Sequence, residues 1–324
     1  MEQPAHVRPE TRSAPPPPGA GPTARETVVH GSFRATPSDP HVAAREVLLG
    51  NGLRLPGTDT TPAPDTTPAP DASPAPGNGP AGSDGLHREV TEQLWHRGLA
   101  AIQLDEPLPQ DRFLALGAFL GTATPETDPA VRPYVEDGVV LNLRSEHAPT
   151  QDVSLQPFAR NSLSLHSESS GAAPAGQPRY IVLMCVDPGD DAHHANTVLV
   201  PMRDVARRLS PGALDLLSRT RYRDSSEAPP VARRVDGHWV FSFRDFLDQE
   251  LRWTHTGPAG DAETVNGALR ELLTAMYEPG PATGVRWRRG LLVVIDNTYY
   301  FHGRTAGSAT PPRRQRHLKR LRIR

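Results

Sequence analysis

Proline divides this chain. Of its 36 prolines, 17 lie within residues 1–84, and the remaining 240 residues hold 19. Each proline fixes φ and removes a backbone donor, so a proline-dense stretch cannot propagate a helix or sit inside a sheet. The run Pro15–Pro18 and the repeated Pro-Ala-Pro-Asp theme of Thr61–Pro76 favour extended, solvated backbone. Residues 1–84 are therefore expected to be a disordered Pro/Ala-rich N-terminal tail, with one island, Val42–Leu49, able to form a helical turn or two. Residues 85–324 are expected to form a single domain, long enough to enclose a sizeable core.

Composition excludes several classes of function. The net charge is −2, so no global basic field recruits nucleic acid. Hydrophobic residues make up 36%. The longest apolar run, near Leu291–Ile295, is far too short to span a bilayer, so no membrane partner is expected. The one cysteine, Cys185, excludes an intrachain disulfide and a thiolate zinc cluster. A reduced, cytoplasmic setting is the expectation.

Hydrophobic periodicity predicts helices over Glu89–Ile102, Gln110–Leu120, Gly212–Ser218 and Glu263–Tyr277. Ser210-Pro211 supplies an N-cap and a first-turn proline for the third of these. Strands are predicted at Val139–Arg144, Ser162–Ser167, Tyr180–Val186, Thr197–Pro201, Trp239–Phe243, Val285–Trp287, Leu291–Ile295 and Leu318–Ile323. The fold class is thus mainly β with flanking helices, a sandwich or barrel buttressed from outside.

Three features can carry chemistry. In Leu163-Ser164-Leu165-His166-Ser167-Glu168, residues two apart on a strand share a face, so His166 and Glu168 converge on one point. With 13 histidines in the chain such a pattern also arises by chance. The match His87-Arg88-Glu89 is one such case, because side chains two apart diverge on a helix. The second feature is Asp296-Asn297-Thr298-Tyr299-Tyr300-Phe301-His302-Gly303-Arg304, where an apolar strand opens into a polar turn and returns with a histidine. Two histidines and a carboxylate from separate strands make a facial triad that leaves three coordination positions open, a set suited to non-haem Fe(II). The third is Arg316-His317-Leu318-Lys319-Arg320, in which Arg316, Leu318 and Arg320 share a strand face. A buried arginine there can clamp a dicarboxylate in bidentate geometry. By contrast, His193-His194 in a Gly/Asp loop reads as a solvated turn, and Cys185 as inert core.

Taken in order, these motifs together with Ala195-Asn196-Thr197-Val198-Leu199-Val200 resemble the Fe(II)/2-oxoglutarate-dependent oxygenases of the TauD/TfdA group, in the clavaminate synthase-like branch. The resemblance runs from about Glu89 to Arg324. It implies a double-stranded β-helix (jelly-roll) core and the cosubstrates 2-oxoglutarate and O2. It implies His166, Glu168 and His302 as iron ligands, and Arg316 with Thr197 as the 2-oxoglutarate site. Arg320, Asp245 and Asn142 would then contact the substrate. The glutamate at 168 implies hydroxylation or desaturation, because the related halogenases lack that carboxylate. One departure bears on the substrate. Ser169-Ser170-Gly171-Ala172-Ala173-Pro174 consists of small residues where amino acid hydroxylases of the branch carry an aromatic residue and a further histidine. A small-molecule substrate is expected, amino acid-like or carrier-tethered, in specialised-metabolite biosynthesis. Two other readings stay open: a non-catalytic jelly-roll binding protein, and a basic tail at Arg313–Arg324 that contacts nucleic acid.

Overall fold

The computed structural model describes residues 27–50, 83–144, 150, 155–190, 194–257, 261–308 and 312–324. Pro15–Pro18, Thr61–Pro76 and His193 lie outside them. The chain begins with β1 (Val28–Phe33) and α1 (Pro40–Leu49), then α2 (Ser83–Arg97), β2 (Leu99–Gln103) and α3 (Gln110–Leu120). A run of strands follows: β3 (Val135–Glu136), β4 (Val140–Arg144), β5 (Leu163–His166), β6 (Tyr180–Asp187) and β7 (Thr197–Pro201). Next come α4 (Met202–Arg208), α5 (Pro211–Ser218), β8 (Thr220–Tyr222), β9 (Ala232–Val235), β10 (His238–Phe241), β11 (Leu251–Thr256) and α6 (Ala262–Met276). The chain closes with β12 (Thr283–Val285), β13 (Leu291–Asp296), β14 (Tyr300–Arg304) and β15 (His317–Ile323).

Two antiparallel sheets form the jelly-roll. The larger has the order β2-β13-β6-β15-β4-β3, and the smaller β12-β7-β14-β5. Period-2 alternation sorts their side chains. Leu141, Leu143, Ile181, Leu183, Val293 and Leu318 of the large sheet meet Leu199 and Val285 of the small one in a shared core. The alternate residues Val140, Val182, Met184, Val294, Leu321 and Ile323 point the other way, onto Leu86 and Val90 of α2 and Phe113 and Leu116 of α3. Behind the small sheet, Val198 and Val200 pack toward α4, α5 and α6. The expected fold class is thus realised as helix, sheet, sheet, helix, with strands buried on both faces. Ser210 caps α5, its hydroxyl accepting from Ala213 N–H at 3.1 Å, as its position before Pro211 predicts.

Two expectations need correction. The helix predicted over Glu89–Ile102 stops at Arg97, because Gly98 takes φ +66 and turns the chain. A side chain there would also collide with the Tyr299 ring, 2.6 Å from the added Cβ. Leu99–Gln103 then pairs with β13. A short apolar run reads equally well as helix or strand, and the vacant edge of the large sheet decides.

The tail expected over residues 1–84 contains folded structure. β1 pairs antiparallel with β11, a strand also missed by periodicity, and α1 buries Leu48 and Leu49 fully. Arg45 of α1 reaches Asp245 at 3.0 Å. The island at Val42–Leu49 is therefore part of the domain; proline-rich flanks obscured an amphipathic helix. Among the described residues no helix is long and apolar enough to cross a membrane.

Candidate active site

His166 ends β5, and His302 sits opposite it as its register partner on β14. Their rings lie 4.2 Å apart between centroids. Gly303 permits this approach: a Cβ there would come within 2.7 Å of the Leu163 carbonyl oxygen. Glu168 lies just past the end of β5, and its Oε2 is 3.8 Å from His166 Nε2 and 3.6 Å from His302 Nε2. These separations exceed hydrogen bonds. They approach the roughly 3 Å between neighbouring ligands that each bind one ion at about 2.1 Å. All three donor atoms fall within 4.8 Å of one another.

The supporting contacts fit a metal. His166 Nδ1–H donates to the Ser164 carbonyl at 2.8 Å, which leaves the Nε2 lone pair facing Glu168. Burial, reinforced by the neighbouring His166, pushes the His302 pKa down to about 4, so its imidazole is neutral as a ligand must be. Burial works to raise the Glu168 pKa. The Arg320 guanidinium and the two imidazoles outweigh it and hold the carboxyl well below the usual range. Asn297 fixes the Glu168 backbone from both sides. Its Oδ1 accepts from Glu168 N–H at 2.8 Å, while its Nδ2 donates to the Glu168 carbonyl at 3.2 Å and to that of Pro178 at 3.0 Å. Asp296 shapes the same turn, accepting from Thr298 N–H and pairing with Arg179 at 2.8 Å.

The triad lines a cavity of about 620 Å³ between the sheets, with Thr197, Arg316, Leu318, Arg320 and Arg322. Arg316 is buried and donates to the Ala195 carbonyl at 2.6 Å. Arg320 lies 3.7 Å from Glu168 Oε1 and 2.9 Å from Glu126. Arg322 grips the other oxygen of Glu126 at 2.7 Å. Arg304 sends its guanidinium to four backbone carbonyls, those of Gln156, Pro157, Ala159 and Asn161. It fastens that loop over the cavity rather than facing a ligand.

Two expected substrate contacts fall elsewhere. Asn142 lies between Leu141 and Leu143 on β4, and alternation turns it to the outer face of the large sheet. There it bonds His317 Nε2 at 2.7 Å and donates to the Tyr134 carbonyl at 3.3 Å. Asp245 likewise points away from the cavity. Its Oδ2 takes the Arg45 guanidinium and, at 2.7 Å, the Tyr277 hydroxyl. The residue that reaches the cavity is its neighbour, Arg244. Arg322 was discoverable by extending the alternation of Arg316, Leu318 and Arg320 one step. Glu126, alone in a polar loop, carried no such signal. His87 stacks on Phe119 and belongs to no metal-capable cluster among the described residues.

The family described as "Taurine catabolism dioxygenase TauD, TfdA family" matches residues 65–322. A tyrosine isonitrile desaturase of Pseudomonas aeruginosa is 25% identical over 275 residues, covering 75% of this chain and 84% of the relative. The crystal structure of PvcB from Pseudomonas aeruginosa aligns with a TM-score of 0.53 at 24% identity, covering 73% of this chain and 79% of that one. That of the non-heme iron oxygenase OrfP, in complex with Fe, succinate and (3S)-hydroxy-L-Arg, aligns at 0.53 with 18% identity, covering 75% and 79%. These two likenesses establish the double-stranded β-helix fold. With the family matched over most of its length, this chain belongs to the TauD/TfdA dioxygenases and is an enzyme that uses Fe(II), 2-oxoglutarate and O2.

Proposed function

We propose that this enzyme hydroxylates or desaturates an unactivated carbon of an amino acid-like small molecule, with His166, Glu168 and His302 holding the iron. The observation that carries the reading is the convergence of those three donors at the wall of an arginine-lined cavity. When bound, Fe(II) with 2-oxoglutarate and O2 supplies the oxidising power to break a C–H bond; the protein supplies position and exclusion of water.

Arg316 and the Thr197 hydroxyl receive the distal carboxylate of 2-oxoglutarate. Both are buried, so a charge-assisted pair there is strong. Arg320 receives the carboxylate of the substrate, with Glu126 fixing its guanidinium from the far side. The amino acid class is supported by the relatives, whose names carry tyrosine isonitrile and hydroxy-arginine. The small residues Ser169, Ser170 and Gly171 at the cavity rim favour a substrate that extends outward, including one tethered to a carrier. Biosynthesis of a specialised metabolite is the setting that fits these relatives.

Anaerobic addition of Fe(II) and 2-oxoglutarate tests the assignment. A weak visible charge-transfer band is expected for the wild type and is lost in His166→Ala and His302→Ala. Succinate release over a panel of free and carrier-loaded amino acids then finds the substrate. A full band in both variants would remove the proposed ligand set.

A further inference from the structure

Among the described residues, five arginines line the cavity against three carboxylates, Glu126, Asp128 and Glu168. Fe(II) and the 2-oxoglutarate dianion carry equal and opposite charge, so loading them leaves the positive surplus in place. Four of the arginines have partners or roles already described. Arg304 is held by carbonyls, Arg316 by the Ala195 carbonyl, and Arg320 and Arg322 by Glu126. Arg244 differs. Among the described residues its guanidinium makes neither a hydrogen bond nor an ion pair; it lies over the Phe246 ring, 4.9 Å from the centroid. Asp245, next in sequence, is turned away and engaged by Arg45 and Tyr277.

The backbone explains why Arg244 faces the iron site. Arg244 and His166 form an isolated antiparallel bridge. Ser167 N–H donates to the Phe243 carbonyl at 2.9 Å, and Asp245 N–H to the Leu165 carbonyl at 3.1 Å. Arg244 and His166 are thus a non-hydrogen-bonded pair, the type whose side chains stand closest and on one face. His302 pairs with His166 from the other side. His302 on β14, His166 on β5 and Arg244 in the extended segment after β10 form one row, each step about 5 Å. The Arg244 backbone is anchored further by its N–H donating to the Tyr222 hydroxyl at 3.0 Å, and Tyr222 in turn donates to Ser170. A charged side chain placed beside the reacting centre on so fixed a base is a recognition element.

We propose that Arg244 binds a second acidic group of the substrate, so that the natural substrate is an amino acid-like molecule with a carboxylate beyond the one received by Arg320. This deepens the function proposed above and rests on it: the iron ligands fix where the substrate lies, and Arg244 states what its other end carries. A zwitterion without a further anion would leave the cavity's surplus charge and the Arg244 guanidinium uncompensated, which low dielectric penalises.

The test is anaerobic titration of the Fe(II)- and 2-oxoglutarate-loaded enzyme with L-aspartate, L-glutamate and L-2-aminoadipate, set against L-asparagine and L-glutamine. Binding is read by calorimetry and by the shift of the charge-transfer band. At least one acid is expected to bind about tenfold or more tightly than its amide, the effect of one charge-assisted bond. Arg244→Gln should erase that preference, and Arg244→Lys should keep part of it. The band in each variant reports an intact iron site. Amides binding as well as the acids, no acid binding at all, or a preference that survives in Arg244→Gln each overturn the proposal. Absence of the band in the wild type sinks the iron-site reading itself, whereas a normal band without acid preference sinks only the role of Arg244.

Discussion

Asn297 holds Glu168 through two hydrogen bonds to its backbone and a third to the Pro178 carbonyl, none of which engages the carboxylate that faces His166 and His302. The side chain that sets the backbone of Glu168, the third proposed ligand, is thus contributed by the turn before β14, the strand that carries His302. One short segment, Asp296 to His302, orders both.

This makes Asn297 a positioning residue. Asn297→Ala should weaken iron affinity by about 10–100-fold, the usual cost of losing support behind a ligand. Equilibrium dialysis with Fe(II) checks it, with circular dichroism to confirm that the fold persists. Unchanged affinity would show that Glu168 is held by other contacts.

The roles proposed for Arg316 and Arg320, at the approach to β15 and on it, are separable. Arg316→Ala should raise the KM for 2-oxoglutarate, on the order of 10²-fold, with little change for the primary substrate, because a buried charge-assisted contact to one carboxylate is lost. Arg320→Ala should do the reverse. Steady-state succinate release at varied concentrations of each compound distinguishes them, and opposite phenotypes would mean that the two assignments are exchanged.

The N-terminal helix is expected to matter for stability. Asp245 is almost fully buried, and Arg45 is its cationic partner. Arg45→Ala leaves that carboxylate without its cation, held only by the Tyr277 hydroxyl and the Leu247 N–H, at a cost of about 3 kcal/mol. Deleting residues 1–50 removes this pair and exposes the surface covered by Leu48 and Leu49, so it should destabilise more. Chemical denaturation of the three proteins provides the measurement; equal stability for the 1–50 deletion and the wild type would refute the role of α1.

His41, on the same helix, predicts a dependence on pH. It is buried, both ring nitrogens lack a hydrogen-bond partner, and burial lowers its pKa below the ordinary 6.5. Asp245 and Asp39 oppose that shift and Arg45 and Arg270 add to it. The folded state therefore holds its proton less tightly than the unfolded chain. Stability contributed by the neutral ring is present above the unfolded value and is lost as pH falls below about 6.5. Tm followed between pH 7.5 and pH 5, values of the order set by that pKa, should drop more for the wild type than for His41→Leu. Parallel curves would count against it.

Much of the site was legible because its chemistry coincides with local periodicity. His166 and Glu168 announce a shared face by their spacing, and β13 runs apolar into the turn that delivers His302. What stayed hidden depended on partners distant in sequence. Whether Arg244 or Asp245 enters the cavity is decided by a bridge to His166, 78 positions away, and nothing within Phe243-Arg244-Asp245 fixes that phase. Asn142 was misassigned for the same reason: strand position was correct, face was not. β2 required the open edge of β13, and β1 required β11. Glu126 matters only because two arginines on β15 close around it.

The contact between Arg45 and Asp245 has a consequence for the cavity. It lies behind the stretch of backbone whose front presents Arg244, and it comes from a helix that precedes the residues matched to the family. That wall is braced from outside, so its recoil is limited without any group intruding on the mouth. The shape offered to a substrate is set in part by side chains that never meet it.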